Sequence, residues 1–277
     1  MLPTMTCWEL VNRIHSTLGG RHKDAMYEGI LTGADDDTVS GILVAIEPSV
    51  EAIRLAVANG KNCILCREHP FYLFGEYLSV GLAEALSGDP VVQAKRKLIE
   101  DHHLIIIRLA TLWDTARPKW FSCALARELG WETEAEVPGD QWTAVYCNIP
   151  RTTLSHLANS SSARLKAKAL RMVGDPNQSI SRVAVIHGFA YPTLVLSHAL
   201  QDPAVDCIVT GGTPEVDHST TYIRDAITAG RSISLVQVGY ETSDYPGAVE
   251  LTKWLKSVLP GMPIEVQPPP SEFCWFA

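Results

Sequence analysis

The sequence has 277 residues, of which 46% are hydrophobic and 19% are charged, and its formal net charge is −8. A chain of this size and composition can bury a substantial core and fold as one large domain or two modest ones. The negative charge argues against a general nucleic-acid binder or a membrane-surface protein, because both need basic surfaces.

The N-terminus and the cysteines both favour a cytoplasmic protein. The N-terminal residues lack the basic region and the uninterrupted apolar stretch of a secretory signal. No apolar run approaches the roughly 20 residues that a membrane-spanning helix needs. The seven cysteines are odd in number and scattered, which is typical of free thiols in a reducing compartment.

Helical and strand patterns alternate along the first two thirds of the chain. Residues 39–66 have the proportions of a parallel β-α-β crossover unit. In chain order, the patterns predict a helix at 7–18, a strand at 39–46, a helix at 50–59, a strand at 63–66, a helix-rich stretch at 78–99, a strand at 104–109, a helix at 120–129, a strand at 143–147 and an amphipathic helix at 155–172.

The last third repeats the first in outline, which suggests a weak internal duplication. Its patterns predict strands at 182–186, 207–210 and 233–238, and helices at 191–200, 219–229 and 248–259. The chain is therefore predicted to be an α/β protein with β-α-β units at both ends and a middle segment between them.

Cys63 and Cys66 form a C-x-x-C pair inside a predicted strand. Residues three apart on a strand point to opposite faces of the sheet. We therefore expect neither a zinc site nor a redox role for this pair.

Three predicted strands end in residues that can bind a metal ion, and ligands of open α/β sheets bind beyond the carboxyl ends of strands. Tyr240 and Asp244 are four residues apart, which is one turn if this segment is helical. The three segments are Arg67-Glu68-His69-Pro70, Ala110-Thr111-Leu112-Trp113-Asp114, and Gly239-Tyr240 followed by Asp244.

Each of these residues also has an ordinary structural interpretation. Arg67 and Glu68 could form a surface ion pair, and Asp114 could cap the turn that follows it. Tyr240 could pack in the core with its hydroxyl hydrogen-bonded, and His69 before a proline could be a turn residue.

Taken in order, the motifs resemble those of the Nif-three-like proteins, also called GTP cyclohydrolase 1 type 2 homologues. The resemblance runs from about Trp8 to Leu259. The three segments resemble the family's His-His-Pro, His-Thr-x-x-Asp and Gly-His-x-x-x-Glu, and supporting motifs lie at Tyr27–Gly33, Gly41–Glu47, Val183–Gly188 and Asp206–Gly211. The pair His102-His103 precedes a strand instead of following one, so we interpret it as an exposed loop.

In that family the matching residues hold a pair of metal ions, and the resemblance therefore implies a metal site with changed ligands. The implied ligands are Glu68, His69, Asp114, Tyr240 and Asp244. One nitrogen and four oxygen donors favour manganese, iron or magnesium over zinc. Because Asp244 is shorter than the family's Glu, we expect one firmly held ion instead of two.

The resemblance also implies a function and an architecture. The expected function is that of a metal-dependent hydrolase acting on a small phosphorylated or nucleotide-like substrate, with Arg67 and His218 binding its anionic part. The alternative is a non-catalytic metal-handling, regulatory or partner-binding protein with a degenerate site. Two interlocked α/β domains with largely parallel sheets are implied, one at 1–113 plus 245–277 and one at 114–244, with the site in the cleft and a hexamer built as a trimer of dimers.

Overall fold

The computed structural model describes residues 5–19, 28–73, 84–134, 144–190, 202–213 and 218–269, and it confirms the predicted α/β fold. The helices are α1 Cys7–Leu18, α2 Val50–Ala58, α3 Pro90–Asp101, α4 Thr111–Ala116, α5 Trp120–Glu128, α6 Leu154–Leu165, α7 Ser219–Thr228 and α8 Tyr240–Val258. The strands are β1 Met5–Thr6, β2 Gly29–Thr32, β3 Thr38–Val39, β4 Ile42–Ala45, β5 Cys63–Cys66, β6 Ile105–Arg108, β7 Val145–Thr153, β8 Arg171–Val173, β9 Ser179–Phe189, β10 Cys207–Gly212, β11 Ser234–Gln237 and β12 Ile264–Val266.

The chain divides into two compact units. The first unit comprises Met1–Arg117 and Ala248–Pro268, and the second contains Pro118–Gly247. Helix α8 therefore begins in the second unit and ends in the first. Asp114 lies in the first unit, whereas the predicted boundary placed it in the second domain. The reason is local, because Trp113 packs edge-on against Trp254 with ring centroids 4.9 Å apart and so ties α4 to the first unit.

The first unit is built on a five-stranded sheet with the order β12-β4-β5-β6-β2. Strands β12, β4, β5 and β6 are parallel, and β2 is antiparallel at the edge. All four residues of β4 and of β5 are buried, as expected for strands that are covered on both faces. The carboxyl ends of β5 and β6 carry two of the three predicted ligand segments.

The second unit contains another five-stranded sheet, with the order β7-β9-β10-β11-β8. Its three central strands are parallel, and both edge strands are antiparallel. The centre of β9, from Val183 to Ile186, is fully buried. The start of α8 follows β11 directly and carries the third ligand segment.

Two predicted helices differ from the structure. The helix predicted at 155–172 ends at Leu165, because Lys166 adopts a left-handed conformation with φ 54°, and Met172 lies in strand β8 instead. The helix predicted at 248–259 begins already at Tyr240 and contains Pro246. The helix predicted at 191–200 lies outside the described residues.

The cysteine pair lies in strand β5, as predicted. Cys63 and Cys66 are free and buried, and burial raises the pKa of both thiols well above the ordinary value. The Cys66 thiol donates to the carbonyl oxygen of Glu68 at 3.2 Å. Both thiols are therefore protonated at neutral pH, the form in which cysteine is a poor nucleophile and a poor metal ligand.

Two further expectations are confirmed within the described ranges. His102 and His103 are exposed at the end of α3, before strand β6. None of the helices that the structure describes has the length and the apolar character needed to cross a membrane.

Candidate metal centre

In the first unit, Arg67 and Asp114 form a two-pronged ion pair beyond the ends of β5 and β6. Arg67 Nη1 donates to Asp114 Oδ1 at 3.0 Å, and Nη2 donates to Oδ2 at 2.8 Å. The Arg67 side chain is only 10% exposed, and that of Asp114 is 34% exposed. An arginine is charged at every physiological pH, so Asp114 has a permanent positive partner. From the sequence, a surface ion pair of Arg67 with Glu68 had been only one structural alternative.

Glu28, which the sequence did not single out as a site residue, holds the turn between β6 and α4. Its carboxylate accepts hydrogen bonds from the backbone N–H groups of Ala110, Thr111 and Leu112 at 2.9, 3.3 and 3.1 Å. It also pairs with Arg108 at 3.1 Å, and its side chain is 5% exposed. Glu28 therefore accepts the backbone N–H groups at the start of α4, a helix that has no side-chain cap of its own.

Replacing Glu28 with glutamine is expected to lower the free energy of unfolding by about 1 kcal/mol. The amide keeps one acceptor oxygen but loses the charge that Arg108 and three N–H donors share. Urea unfolding followed by circular dichroism measures this change. The matched control is Glu100→Gln, at an exposed position of α3. An equal effect of both substitutions would contradict the role given to Glu28.

His69 is held by its own loop in the first unit. Its Nδ1 accepts the backbone N–H of Phe71 at 3.1 Å, and its ring packs edge-on against the Phe71 ring with centroids 5.9 Å apart. Burial and the nearby cations Arg108, Lys95 and Arg96 lower the pKa of His69 to about 4. The ring is therefore neutral at pH 7, and because Nδ1 accepts a hydrogen bond, the ring proton lies on Nε2.

The second unit brings Tyr240 and Asp244 together, as the spacing of four residues predicted. Both lie on the first turns of α8, and Asp244 is fully buried. A Cβ atom added to Gly188 would lie 3.2 Å from Asp244 Oδ1 and 3.4 Å from Tyr240 Cε2. Both side chains therefore approach the end of β9 at Gly188, where glycine leaves room for them.

The backbone around this pair is fixed by Ser243. The Ser243 hydroxyl accepts the N–H of Gly188 at 2.8 Å and donates to the carbonyl oxygen of Tyr240 at 2.7 Å. A Cβ atom added to Gly211, at the end of β10, would lie 2.3 Å from both the Gly188 carbonyl oxygen and Ser243 Oγ. The ends of β9 and β10 and the start of α8 are thus packed tightly enough to position Asp244.

His218, the second residue predicted to bind an anionic substrate, is exposed and precedes the first turn of α7 in the second unit. It has φ 67°, and its carbonyl oxygen accepts the N–H of Tyr222 at 2.7 Å. Its imidazole is therefore placed at the surface by the start of this helix, and its role in binding substrate stays a prediction.

The two units differ in how well their residues fit a metal ion. Within the described ranges, no three His, Cys, Asp or Glu side chains are grouped as ready ligands. In the first unit the Arg67 guanidinium supplies the positive charge that an ion at Asp114 would supply. The Nδ1 atom of His69 accepts a hydrogen bond, and its Nε2 atom carries the ring proton. Asp114 and His69 therefore do not fit a metal ion as they stand. In the second unit the Asp244 carboxylate and the Tyr240 phenol are oxygen donors of the kind that hard divalent ions prefer.

Comparison with known proteins gives a family match over almost the whole chain. A family model described as Duf34/NIF3 (NGG1p interacting factor 3) matches residues 5–268. A relative from Clostridium acetobutylicum, described as a GTP cyclohydrolase 1 type 2 homolog, is 23% identical over 243 residues, which is 85% of this chain and 84% of the relative.

Solved structures show the same fold at low sequence identity. A hypothetical protein of Staphylococcus aureus superposes with a TM-score of 0.74 at 19% identity, covering 98% of this chain and 99% of that one. A Bacillus cereus protein related to NIF3 also gives 0.74, at 14% identity, covering 100% of this chain and 99% of that one. At these identities the likeness concerns the fold alone.

Proposed function

The chain belongs to the Duf34/NIF3 family, and from this membership we propose that it binds one divalent metal ion and hydrolyses a small phosphorylated or nucleotide-like substrate. The observation that carries the proposal is the buried Asp244 carboxylate beside Tyr240 at the strand ends of the second unit. A carboxylate shielded from water interacts more strongly with a cation than an exposed one does.

Four residues are proposed as ligands, and one predicted ligand is reassigned. In the second unit, Tyr240 and Asp244 are proposed to supply the oxygen donors that hold the ion. Glu68 and His69 stay proposed ligands within the first unit alone. His69 would have to move its ring proton from Nε2 to bind there. Asp114 is assigned to its ion pair with Arg67. With mostly oxygen donors, manganese, iron or magnesium is favoured over zinc.

The chemistry of such a centre follows from the positive charge of the ion, which acts on bound water and on the substrate. A bound divalent ion lowers the pKa of its water and polarises a phosphoryl oxygen. Asp244 would hold the ion, and the hydrogen bond between Gly188 of β9 and Ser243 of α8 would keep its carboxylate in place. The exposed imidazole of His218 is available to bind an anionic part of the substrate. Arg67 is less suited to that predicted role, because both of its terminal nitrogens bind Asp114.

Metal analysis and a hydrolysis screen test the proposal directly. Purified protein reconstituted with Mn²⁺ and then desalted is expected to retain about one ion per chain. The reconstituted protein is expected to hydrolyse at least one member of a panel of phosphomonoesters and nucleotides, and Asp244→Asn should remove that activity. Retention of less than a tenth of an ion per chain would overturn the proposal.

A second candidate function is a metal-handling, regulatory or partner-binding protein without turnover. The observation that favours it is the Arg67–Asp114 pair, which neutralises a carboxylate at the strand ends of the first unit without any metal ion. Metal binding in the absence of hydrolysis across the panel would select this candidate.

We also propose, from the family resemblance, a homo-oligomer built as a hexamer and a cytoplasmic location. The free, buried thiols of residues such as Cys63 and Cys207 support a reducing compartment. Sedimentation velocity separates a hexamer from a monomer, and a monomer at micromolar concentration would contradict the assembly.

A further inference from the structure

The end of strand β9 carries a buried histidine, His187, to which the proposed function gives no role. His187 is 7% exposed, and its Nδ1 lies 3.0 Å from Ser122 Oγ. The same hydroxyl accepts the backbone N–H of His187 at 3.1 Å. The ring also packs on Phe121 with centroids 5.2 Å apart. Helix α5 therefore fixes both the position and the rotation of this imidazole.

Two observations bring His187 close in the fold to the Tyr240–Asp244 pair. A Cβ atom added to Gly188, its neighbour in sequence, would lie 3.2 Å from Asp244 Oδ1 and 3.4 Å from Tyr240 Cε2. On the other side, Phe121 is packed so closely on Gly247 that a Cβ atom there would lie 2.1 Å from its Cδ1. Gly247 is three residues after Asp244, on the same face of α8. Phe121 thus contacts both the His187 ring and the face of α8 that carries Asp244.

The hydrogen bond to Ser122 suits a metal-binding imidazole. A serine oxygen has two acceptor sites, so Ser122 Oγ can accept the backbone N–H and a proton on Nδ1 together. In that tautomer the coordinating lone pair is on Nε2. Metal-binding histidines usually donate their other ring N–H to such a partner, which fixes the tautomer and the ring orientation.

We propose that His187 is the nitrogen ligand of the second unit and binds the divalent ion through Nε2 beside Asp244 and Tyr240. This inference rests on the proposed metal-binding function and adds a residue to it. The second unit then offers one nitrogen and two oxygen donors from two neighbouring elements, β9 and α8. Such a mixed set suits manganese or iron.

Calorimetric titration with MnCl₂ tests the assignment on the full chain. His187→Gln is expected to weaken Mn²⁺ binding about 100-fold relative to the wild-type protein. The control, His156→Gln, changes an exposed histidine on α6 of the same unit and is expected to leave the affinity unchanged. A melting curve for each variant establishes that it is folded.

The possible results distinguish a failure of His187 as a ligand from a failure of the proposed metal binding. Unchanged affinity in folded His187→Gln would overturn the assignment alone, since metal binding would persist without this imidazole. No Mn²⁺ binding by the wild-type chain would overturn the metal-binding function and the assignment with it. If His187→Gln does not fold, anomalous density in Mn²⁺-loaded wild-type crystals decides, and a bound ion out of reach of His187 Nε2 would overturn the assignment.

Discussion

Replacing Gly211 with alanine is expected to lower the free energy of unfolding of the second unit by about 3 kcal/mol. A Cβ atom at this position would lie 2.3 Å from a backbone carbonyl oxygen, that of Gly188, and 2.3 Å from Ser243 Oγ. A backbone group cannot move aside as the tip of a long side chain can, so the strand ends must separate. Urea unfolding monitored by circular dichroism measures the loss.

The next residue in the chain provides the control for this prediction. Gly212 has nothing within 4 Å of an added Cβ atom, so Gly212→Ala is expected to change stability by less than about 0.5 kcal/mol. Gly211→Ala should also weaken Mn²⁺ binding, because a shift in Ser243 displaces the start of α8, which carries Asp244. Equal stability of the two alanine variants would contradict the tight packing described for the strand ends.

Asp114→Ala is expected to destabilise the first unit by about 2 kcal/mol, because it leaves the Arg67 guanidinium without its carboxylate. This loss of stability is smaller than that expected on breaking a fully buried ion pair, since the Asp114 side chain is 34% exposed. The double variant Arg67→Met, Asp114→Leu removes both charges and is expected to recover most of the loss. Chemical denaturation of the single and double variants measures this coupling.

The surface ion pair Lys97–Asp101 is the control for these single and double variants at positions 67 and 114. It lies on α3 at 2.8 Å, but both of its side chains are more than half exposed. Water screens such a pair, so removing it is expected to leave the unfolding midpoint unchanged. If the double variant at positions 67 and 114 were no more stable than Asp114→Ala, the ion pair would not explain the destabilisation.

The fold could be predicted where hydrophobic patterns are local and unambiguous. Strands β5 and β6 are nearly uninterrupted apolar runs, and such runs identify strands that are covered on both faces. The start of α8 supported the prediction that Tyr240 and Asp244 share one helical turn. The helix predicted at 155–172 failed at its end, because Lys166 breaks the helix in a left-handed conformation that no periodicity reveals.

The candidate site was less predictable, because its decisive contacts are distant in sequence. Arg67 and Asp114 are 47 residues apart, and Glu28 lies 82 residues from Ala110. Spacing rules describe neighbours on one helix or strand, so they could identify the segments but not pair these side chains. The sequence also did not indicate His187, the ligand that we propose, because a histidine near the end of a buried strand resembles an ordinary core residue.

These contacts explain how the altered ligand positions are compatible with a stable fold. In the first unit, two carboxylates near the strand ends are each neutralised by an arginine, Asp114 by Arg67 and Glu28 by Arg108. In the second unit, the buried Asp244 and Tyr240 both lie on the first turns of α8, near Gly188 at the end of β9. We therefore propose that metal binding belongs chiefly to the second unit.

Equilibrium binding of Mn²⁺ to three proteins tests this assignment most directly. The proteins are the wild-type chain, Asp244→Asn, and the double variant Arg67→Met, Asp114→Leu. We predict about one ion per wild-type chain, a loss of affinity of at least about tenfold in Asp244→Asn, and unchanged binding in the double variant. Loss of binding in the folded double variant, with wild-type affinity in Asp244→Asn, would contradict the account.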